Sequence, residues 1–167
     1  MTAKGPDILE SLYREHYAAA LLYCIALCAD EQLAQDLTAD AFVKAYLSLP
    51  DRIPTFRWWL LRVCRNLWID HLRKHRKEQG DEAFEWIAAP DTPESICIRN
   101  ERSRILWHAL RALKKQDREL VTLHYFSGLS LKDTAKLLGI PYTAARQRMV
   151  RLRQTLKHYM EEQGYGF

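Results

Sequence analysis

Apolar residues recur at helical spacing through most of the chain, and no stretch shows the two-residue alternation of a β-hairpin. The first run begins after Asp7, a candidate N-cap, and continues from Ile8 to Tyr23. Later periodic stretches predict further helices at about 31–47, 56–77, 96–113, 117–126, 130–138 and 142–162. The pattern therefore predicts an all-α fold.

One stretch interrupts this helical pattern. Residues 79–94 contain Gly80, Pro90 and Pro93 together with five acidic residues, a composition typical of a linker. We therefore predict two small helical domains, a helical bundle at 1–77 and a second domain at 96–167, joined by an acidic linker at 78–95.

Charge is segregated along the chain, although the total is only +4. Residues 52–77 carry a net charge of +7, residues 78–101 carry −6, and residues 134–160 hold six basic residues and no acid. Two basic blocks separated by an acidic one are typical of two nucleic-acid-binding surfaces on tethered domains. Solvated helix faces that happen to be basic are the alternative.

Several classes of protein are disfavoured by what the sequence lacks. No apolar run approaches the length that spans a bilayer, and the first residues do not form a secretion signal. The four cysteines are then expected to be free thiols in a reducing cytoplasm. No glycine-rich phosphate loop or Ser/His/Asp set stands out, so we expect neither an enzyme nor a bound cofactor.

Two pairs of residues have the spacing of metal ligands. Cys24 and Cys28 are four residues apart, and with His16 or His71 they could bind zinc or sense redox state. Two small core residues would show the same spacing. His71 and His75 lie in a basic stretch that repels cations. We therefore expect no metal site.

Residues 129–141 have the pattern of a helix-turn-helix motif. Ser130 can cap a short helix, and Ala135 is small where two helices must cross closely. Gly139 suits the left-handed position that ends the first helix, and Pro141 suits the first turn of the next.

The helix that follows has an apolar stripe and an opposite polar face. The stripe consists of Ala145, Met149, Leu152 and Leu156. The opposite face presents Thr143, Arg146, Gln147, Val150 and Arg151, while Arg148 and Arg153 flank it. Arginine can pair with guanine, glutamine with adenine and valine with a thymine methyl, whereas the flanking arginines suit phosphates. A solvated basic helix that only covers the domain is the alternative.

The predicted helix at 56–77 interleaves aromatic and basic residues. Unpaired DNA bases are bound by stacking surfaces beside a basic groove, and this helix offers Trp58, Trp59 and Trp68 among its arginines. These three rings cannot all be exposed. We expect Trp59 in the core and leave the place of Trp58 open.

Three stretches resemble motifs of one protein family. They are Asp36-Leu37-Thr38-Ala39-Asp40-Ala41-Phe42, then Phe56-Arg57 with Trp59-Leu60, Asn66, Ile69-Asp70 and Leu72-Arg73, and finally 120–156, with Tyr125-Phe126, Gly128-Leu129-Ser130, Arg146, Arg148 and Arg151. In this order the motifs resemble regions 2.2, 2.3–2.4 and 4 of bacterial RNA polymerase sigma factors of the extracytoplasmic-function type (group 4).

The resemblance implies an alternative sigma factor that binds core RNA polymerase, through its β′ and β subunits, and directs it to promoter DNA. It implies docking on polymerase by Asp36, Leu37 and Asp40. Contacts to the minus-ten element are implied for Arg62, Arg65, Asn66, Asp70 and Arg73. Contacts to the minus-thirty-five element are implied for Thr143, Arg146, Gln147, Arg148, Val150 and Arg151. The family also implies an inhibitory anti-sigma factor, often membrane-anchored, and a linker that occupies the RNA path.

The sequence departs from the family pattern at three places. Ala39 stands where the family has glutamine, the 50–55 loop is short, and Thr143-Ala144-Ala145 replaces Gly-Thr-Val. Two other functions compete with the sigma-factor interpretation: a helix-turn-helix repressor or activator that acts without polymerase, and a helical adaptor that binds only protein. A repressor would need a dimer to read two half-sites, and no dimerisation zipper is visible in the sequence.

Overall fold

The protein is described by a computed structural model that covers residues 6–48, 56–79 and 101–166. The described residues contain helices and short turns and no strand. The chain divides into two compact units, Met1–Ala88 and Ala89–Phe167. The all-α, two-domain fold predicted from the sequence is therefore confirmed. Most of the predicted linker lies outside the described residues, so its bounds stay a prediction.

Three helices form the N-terminal unit: α1 (Pro6–Cys28), α2 (Glu31–Ser48) and α3 (Phe56–Gln79). Each of them packs against the other two. The predicted break after α1 lies at Ala29, whose φ of 54° is left-handed. The Asp30 carboxylate then accepts a hydrogen bond of 3.0 Å from the Leu33 backbone N–H and caps α2.

Small residues form much of the inward face of α2. Ala34, Ala41 and Ala45 are fully buried, and the Thr38 hydroxyl is satisfied by donating to the Ala34 carbonyl at 2.7 Å. Because these side chains are short, α2 can lie close to its neighbours. The large buried side chains of this unit include Tyr23, Ile25, Leu27, Leu60, Leu61 and Trp68.

The C-terminal unit contains α4 (Glu101–Ala112), α5 (Lys115–Val121), a π-helical turn (Thr122–Phe126), α6 (Leu131–Leu138) and α7 (Tyr142–Glu162). α7 packs on α4, α5 and α6. Its inward residues are Ala145, Met149, Leu152 and Met160, all buried, while Leu156 is half-buried. The helix predicted at 117–126 is present, and its second half, Thr122–Phe126, is π-helical.

The turn chemistry predicted for the helix-turn-helix is present between α6 and α7. The Ser130 hydroxyl accepts a hydrogen bond of 3.0 Å from the Asp133 backbone N–H. Gly139 adopts a φ of 67°, and the Ile140 N–H donates to the Ala135 carbonyl at 3.0 Å. The Ser130 bond caps the start of α6, whereas the left-handed Gly139 and the Ile140 bond end it and fix the direction in which α7 leaves it.

The buried Arg118 links α5 to the end of α4 within the second unit. The Arg118 guanidinium donates to the Arg111 and Leu113 carbonyls, at 3.3 and 3.2 Å, at the end of α4. The pKa of Arg118 is lowered to about 10, mainly because the side chain is buried; Glu119 opposes this shift and Arg111 adds to it. The side chain stays cationic at neutral pH and caps carbonyls that would otherwise lack a partner.

Candidate nucleic-acid and protein interfaces

The exposed face of α2 carries the acidic pair predicted to dock on polymerase. Asp36 and Asp40 are exposed with Ala39 between them, and Gln32 donates to the Asp36 carboxylate at 3.3 Å. Leu37 does not join them, because its side chain is only 5% exposed and packs in the core. We therefore correct the expectation that Leu37 makes a docking contact.

The acidic face of α2 continues into an apolar one. Val43, Tyr46 and Leu47 are exposed by 55%, 69% and 75%, and helical spacing aligns Val43 and Leu47 with Ala39 and Asp36. Acid followed by exposed apolar surface is the composition of a protein-binding face. Sequence reasoning found the acids and missed this extension.

The residues predicted to contact the minus-ten element lie along one side of α3. Arg62, Asn66, Asp70 and Arg73 are exposed and Arg65 is half-buried. Asp70 and Arg73 form an exposed ion pair at 3.7 Å. The structure therefore brings all five onto one basic face with a single acidic group in it.

The tryptophans of α3 differ in their surroundings. Trp68 is buried, at 4% exposed, whereas Trp58 and Trp59 are half-buried. The Arg62 guanidinium lies 5.2 Å from the Trp58 ring, so Trp58 borders the basic face. Trp59 instead stacks on the buried Phe56, with ring centroids 5.9 Å apart. Because Trp59 is only half-buried, the core position expected for it is met in part.

A group of aromatic rings joins the three helices at the N-terminal end of α3, and sequence reasoning did not find it. Its members are Tyr13, Tyr17, Phe42 and Phe56, with neighbouring ring centroids 4.8 to 6.4 Å apart. The buried His16 ring lies 5.1 Å from that of Phe56. The four-residue spacing of Tyr13 and Tyr17 was the only local signal; the other members come from distant segments.

His16 is the one buried titratable ring of this group. Arg57 donates from Nε to His16 Nδ1 at 3.4 Å, so the neutral imidazole carries its proton on Nε2. Burial lowers the pKa of His16 from 6.5, and Arg57 lowers it further, while Glu15 raises it. The neutral form is therefore the one that fits this site.

The outer side of α7 carries the predicted base-reading residues. Thr143, Arg146, Gln147, Val150 and Arg151 are all exposed on this side, which we call the reading face. Arg148 is not part of it: it is half-buried and donates to Gln116 of α5 at 3.4 Å. The reading face thus offers hydrogen-bond donors, an amide and an apolar group at helical spacing.

A second arginine of α7 is also held by the layer beneath the helix. Arg153 donates from Nε to the Tyr125 hydroxyl of the π-turn, and its guanidinium carbon lies 5.7 Å from the Tyr125 ring centroid. Sequence reasoning assigned Arg153 to phosphate contact and gave Tyr125 no role. The two residues are 28 positions apart, too far for a local pattern to pair them.

The cysteines described by the structure are free. Cys24 and Cys64 are fully buried and hydrogen bonded to each other, and this bond and burial raise the pKa of Cys64 well above its ordinary value. Burial raises the pKa of Cys28 to about 12. Cys97 lies outside the described residues. Over residues 6–48, 56–79 and 101–166, no group of three acidic, histidine or cysteine side chains could hold a metal ion.

No helix in the described part of the chain combines the length and the apolar character that a membrane crossing requires.

Two family models match the chain, one for each unit. Residues 12–78 match Sigma-70 region 2, and residues 103–156 match Sigma-70, region 4. The matched ranges contain every residue of the α2, α3 and α7 faces described above. Their order along the chain is the order of the two regions in their names.

Characterised relatives cover nearly the whole chain. It is 30% identical over 156 residues to the ECF RNA polymerase sigma factor SigE of Mycolicibacterium smegmatis, covering 90% of this chain and 61% of that protein. It is 29% identical over 163 residues to the RNA polymerase sigma factor YlaC of Bacillus subtilis, covering 94% of each. The chain thus spans less than two thirds of the first relative and nearly all of the second.

Solved structures share the fold. The sigma factor RpoE of Bartonella quintana, crystallised with the anti-sigma factor NepR, has a TM-score of 0.70 at 22% identity, covering 93% of this chain and 98% of its own.

Proposed function

Because the chain belongs to the extracytoplasmic-function group of sigma-70 factors, we propose that it binds core RNA polymerase and directs transcription from a specific class of promoters. The observation that carries this proposal is the pair of exposed basic faces, on α3 and α7, within matches to regions 2 and 4. A helix-turn-helix repressor would need only the α7 face. The α3 face and the acidic α2 face favour the sigma factor.

We assign polymerase docking to the α2 face. Asp36 and Asp40 are four residues apart and exposed, so both can meet a basic surface of the β′ subunit at once. Val43 and Leu47 extend that face with apolar area that a partner can bury. Ala39 removes a side-chain amide from its centre, so this docking relies on charge and apolar contact.

The α3 face is assigned to the minus-ten element. Arg62, Arg65 and Arg73 supply positive charge for the backbone of a single strand. The Asn66 amide can donate and accept hydrogen bonds with an unpaired base, and the Asp70 carboxylate can accept them. Trp58, beside Arg62, offers a stacking surface. Stacking and charge together can offset the free-energy cost of unstacking a base, which is on the order of a few kcal/mol.

The reading face of α7 is assigned to the minus-thirty-five element. An α-helix fits the major groove, where base edges differ in their donors and acceptors. Arg146 and Arg151 can each make a bidentate pair with guanine, and Gln147 can pair with adenine. Val150, half-exposed at 50%, can contact a thymine methyl.

An anti-sigma factor is the proposed regulator. A sigma factor of similar fold was crystallised with one, and the α2 face that we assign to polymerase offers the same exposed acid and apolar surface to a competing protein. We expect this regulator to act in the cytoplasm, where the polymerase is, and to carry its own membrane anchor if it has one.

Gel filtration with purified core polymerase tests the proposed function. We expect the chain to co-elute with core at near one-to-one ratio and to leave it when the salt concentration is raised, because the α2 contact is acidic. Binding to duplex DNA without any binding to core would favour the repressor.

A further inference from the structure

Two arginines border the packed side of α7, one on each side of its buried stripe. Arg148 lies on one border, and Arg153 lies on the other beside the reading face, two turns beyond Arg146 on nearly the same line. A helix that lies in the major groove has a phosphate backbone on either side of it. Residues on the two flanks of such a helix therefore face phosphates, whereas residues on the side between these flanks, which points into the groove, face bases.

Each of these arginines is contacted by a polar side chain from the layer below α7. Gln116 at the start of α5 accepts a hydrogen bond from Arg148 Nη1 at 3.4 Å. Tyr125 accepts one from Arg153 Nε and also presents its ring to the guanidinium. An unsupported exposed arginine samples many rotamers, and each immobilised side chain weakens binding by the entropy it loses.

The backbone around Tyr125 explains how a half-exposed tyrosine can hold its position. The Ser127 N–H donates to the Thr122 carbonyl at 2.9 Å, five residues back, which is the π-turn itself. His124 Nδ1 lies 2.8 Å from the Leu129 carbonyl, and its ring meets Tyr125 edge-on with centroids 4.9 Å apart. Tyr125 is thus placed between His124 and Arg153.

We infer that Tyr125 is a positioning residue that holds Arg153 for a contact with the DNA backbone. With Nε occupied by the tyrosine hydroxyl, the two terminal nitrogens of Arg153 remain available for phosphate oxygens. The π-turn serves this arrangement because it turns Tyr125, 48% exposed, outward from a segment whose preceding residues are buried. The inference rests on the proposed function, since it requires the α7 face to bind duplex DNA.

A double-mutant cycle on the full chain tests the inference. The probe is a short fluorescein-labelled DNA duplex of mixed sequence, because phosphate contacts do not depend on sequence. Binding is measured by anisotropy over a range of salt concentrations for the unaltered chain, Arg153→Ala, Tyr125→Phe and the double variant. Tyr125→Phe keeps the ring and its packing and removes only the hydroxyl.

We expect Arg153→Ala to reduce the slope of log K against log salt by about 0.9, the loss of one phosphate contact. Tyr125→Phe should weaken binding about two- to tenfold. The double variant should bind no more weakly than Arg153→Ala alone, because Tyr125 acts only through Arg153. Tyr13→Phe, which removes a hydroxyl from the aromatic group of the N-terminal unit, should leave duplex binding unchanged.

Different negative results distinguish a failure of the Tyr125 inference from a failure of the assignment of α7 to DNA. If Tyr125→Phe binds as tightly as the unaltered chain, or if its effect persists undiminished in the Arg153→Ala background, Tyr125 does not position Arg153. If the unaltered chain shows no salt-dependent binding, the assignment of α7 to DNA fails, and the inference fails with it. Thermal unfolding of each variant controls for loss of structure, which would weaken binding without coupling to Arg153.

Discussion

Arg57 at the start of α3 donates a hydrogen bond to His16 in the middle of α1, although the two residues are 41 positions apart. The imidazole is only 6% exposed and lies against the buried Phe56 ring. This contact joins the first helix to the base of the proposed minus-ten helix. It requires an imidazole without a proton on Nδ1, because a protonated ring could only donate there.

The first prediction is a pH dependence of stability that originates at His16. Its pKa in the folded protein is lowered below 6.5, so the unfolded chain binds more protons once the pH falls below that value. The free energy of unfolding should therefore decrease as the pH falls from 6.5 through the folded pKa, and the contribution should be complete above 6.5.

Urea denaturation followed by circular dichroism measures this dependence. His16→Gln cannot titrate and should show a flatter dependence between pH 6.5 and the folded pKa than the unaltered chain. His158→Gln, which alters an exposed histidine of α7, is the matched control and should keep the original dependence. Equal dependences in His16→Gln and the unaltered chain would mean that His16 is not the titrating group.

The second prediction concerns the acidic face of α2. Asp36→Arg with Asp40→Arg should weaken binding to core polymerase more than tenfold, because two like charges would then face the basic partner surface. Both side chains are exposed, so circular dichroism should be unchanged. Glu10→Arg, a reversal on the exposed side of α1, should bind core normally. Co-elution of the double variant with core would show that the docking surface lies elsewhere.

The third prediction separates base contacts from phosphate contacts on α7. Arg146→Ala or Arg151→Ala should relax discrimination at one upstream base pair by about 1–3 kcal/mol. Arg148→Ala, away from the reading face, should weaken binding to all promoters about equally. Competition among promoter variants, read by sequencing, measures both effects. An unchanged promoter ranking in the first two variants would remove these arginines from the reading face.

The fourth prediction is that the described cysteines react slowly. At pH 8 only roughly one Cys28 thiol in ten thousand is ionised, given its pKa of about 12, and Cys24 and Cys64 are fully buried. In a Cys97→Ser background, Ellman's reagent should therefore modify no thiol rapidly until urea is added. Fast modification of a single thiol in the native protein would revive the redox-sensing alternative for Cys24 and Cys28.

Helix ends were predictable wherever a local side chain fixes them. Ser130 and Gly139 act within a few residues of their own positions, so the helix-turn-helix and its reading face followed from the sequence. The inward face of α2 was harder, because Ala34 and Ala45 give a weak hydrophobic pattern although both are fully buried. Leu37 was assigned to docking only through the family resemblance, and it is buried.

Contacts between distant segments could not be read from the sequence. The π-turn at Thr122–Phe126 leaves no mark in the sequence, because a helical pattern continues through it unchanged. Gln116 meets Arg148 from 32 positions away, and nothing local marks the glutamine as its partner. Long-range pairs of this kind hold some arginines of α7 in place, whereas others stay exposed on the reading face and can contact a base.

Mapping the start sites of transcripts tests the central claim most directly. Core polymerase would be incubated with fragmented genomic DNA, with and without the protein, and the 5′ ends of the transcripts sequenced. We predict a small set of start sites that appear only with the protein and share two upstream elements, the more distant of which changes in Arg146→Ala. Identical transcripts with and without the protein would contradict the assignment of this chain as an initiation factor.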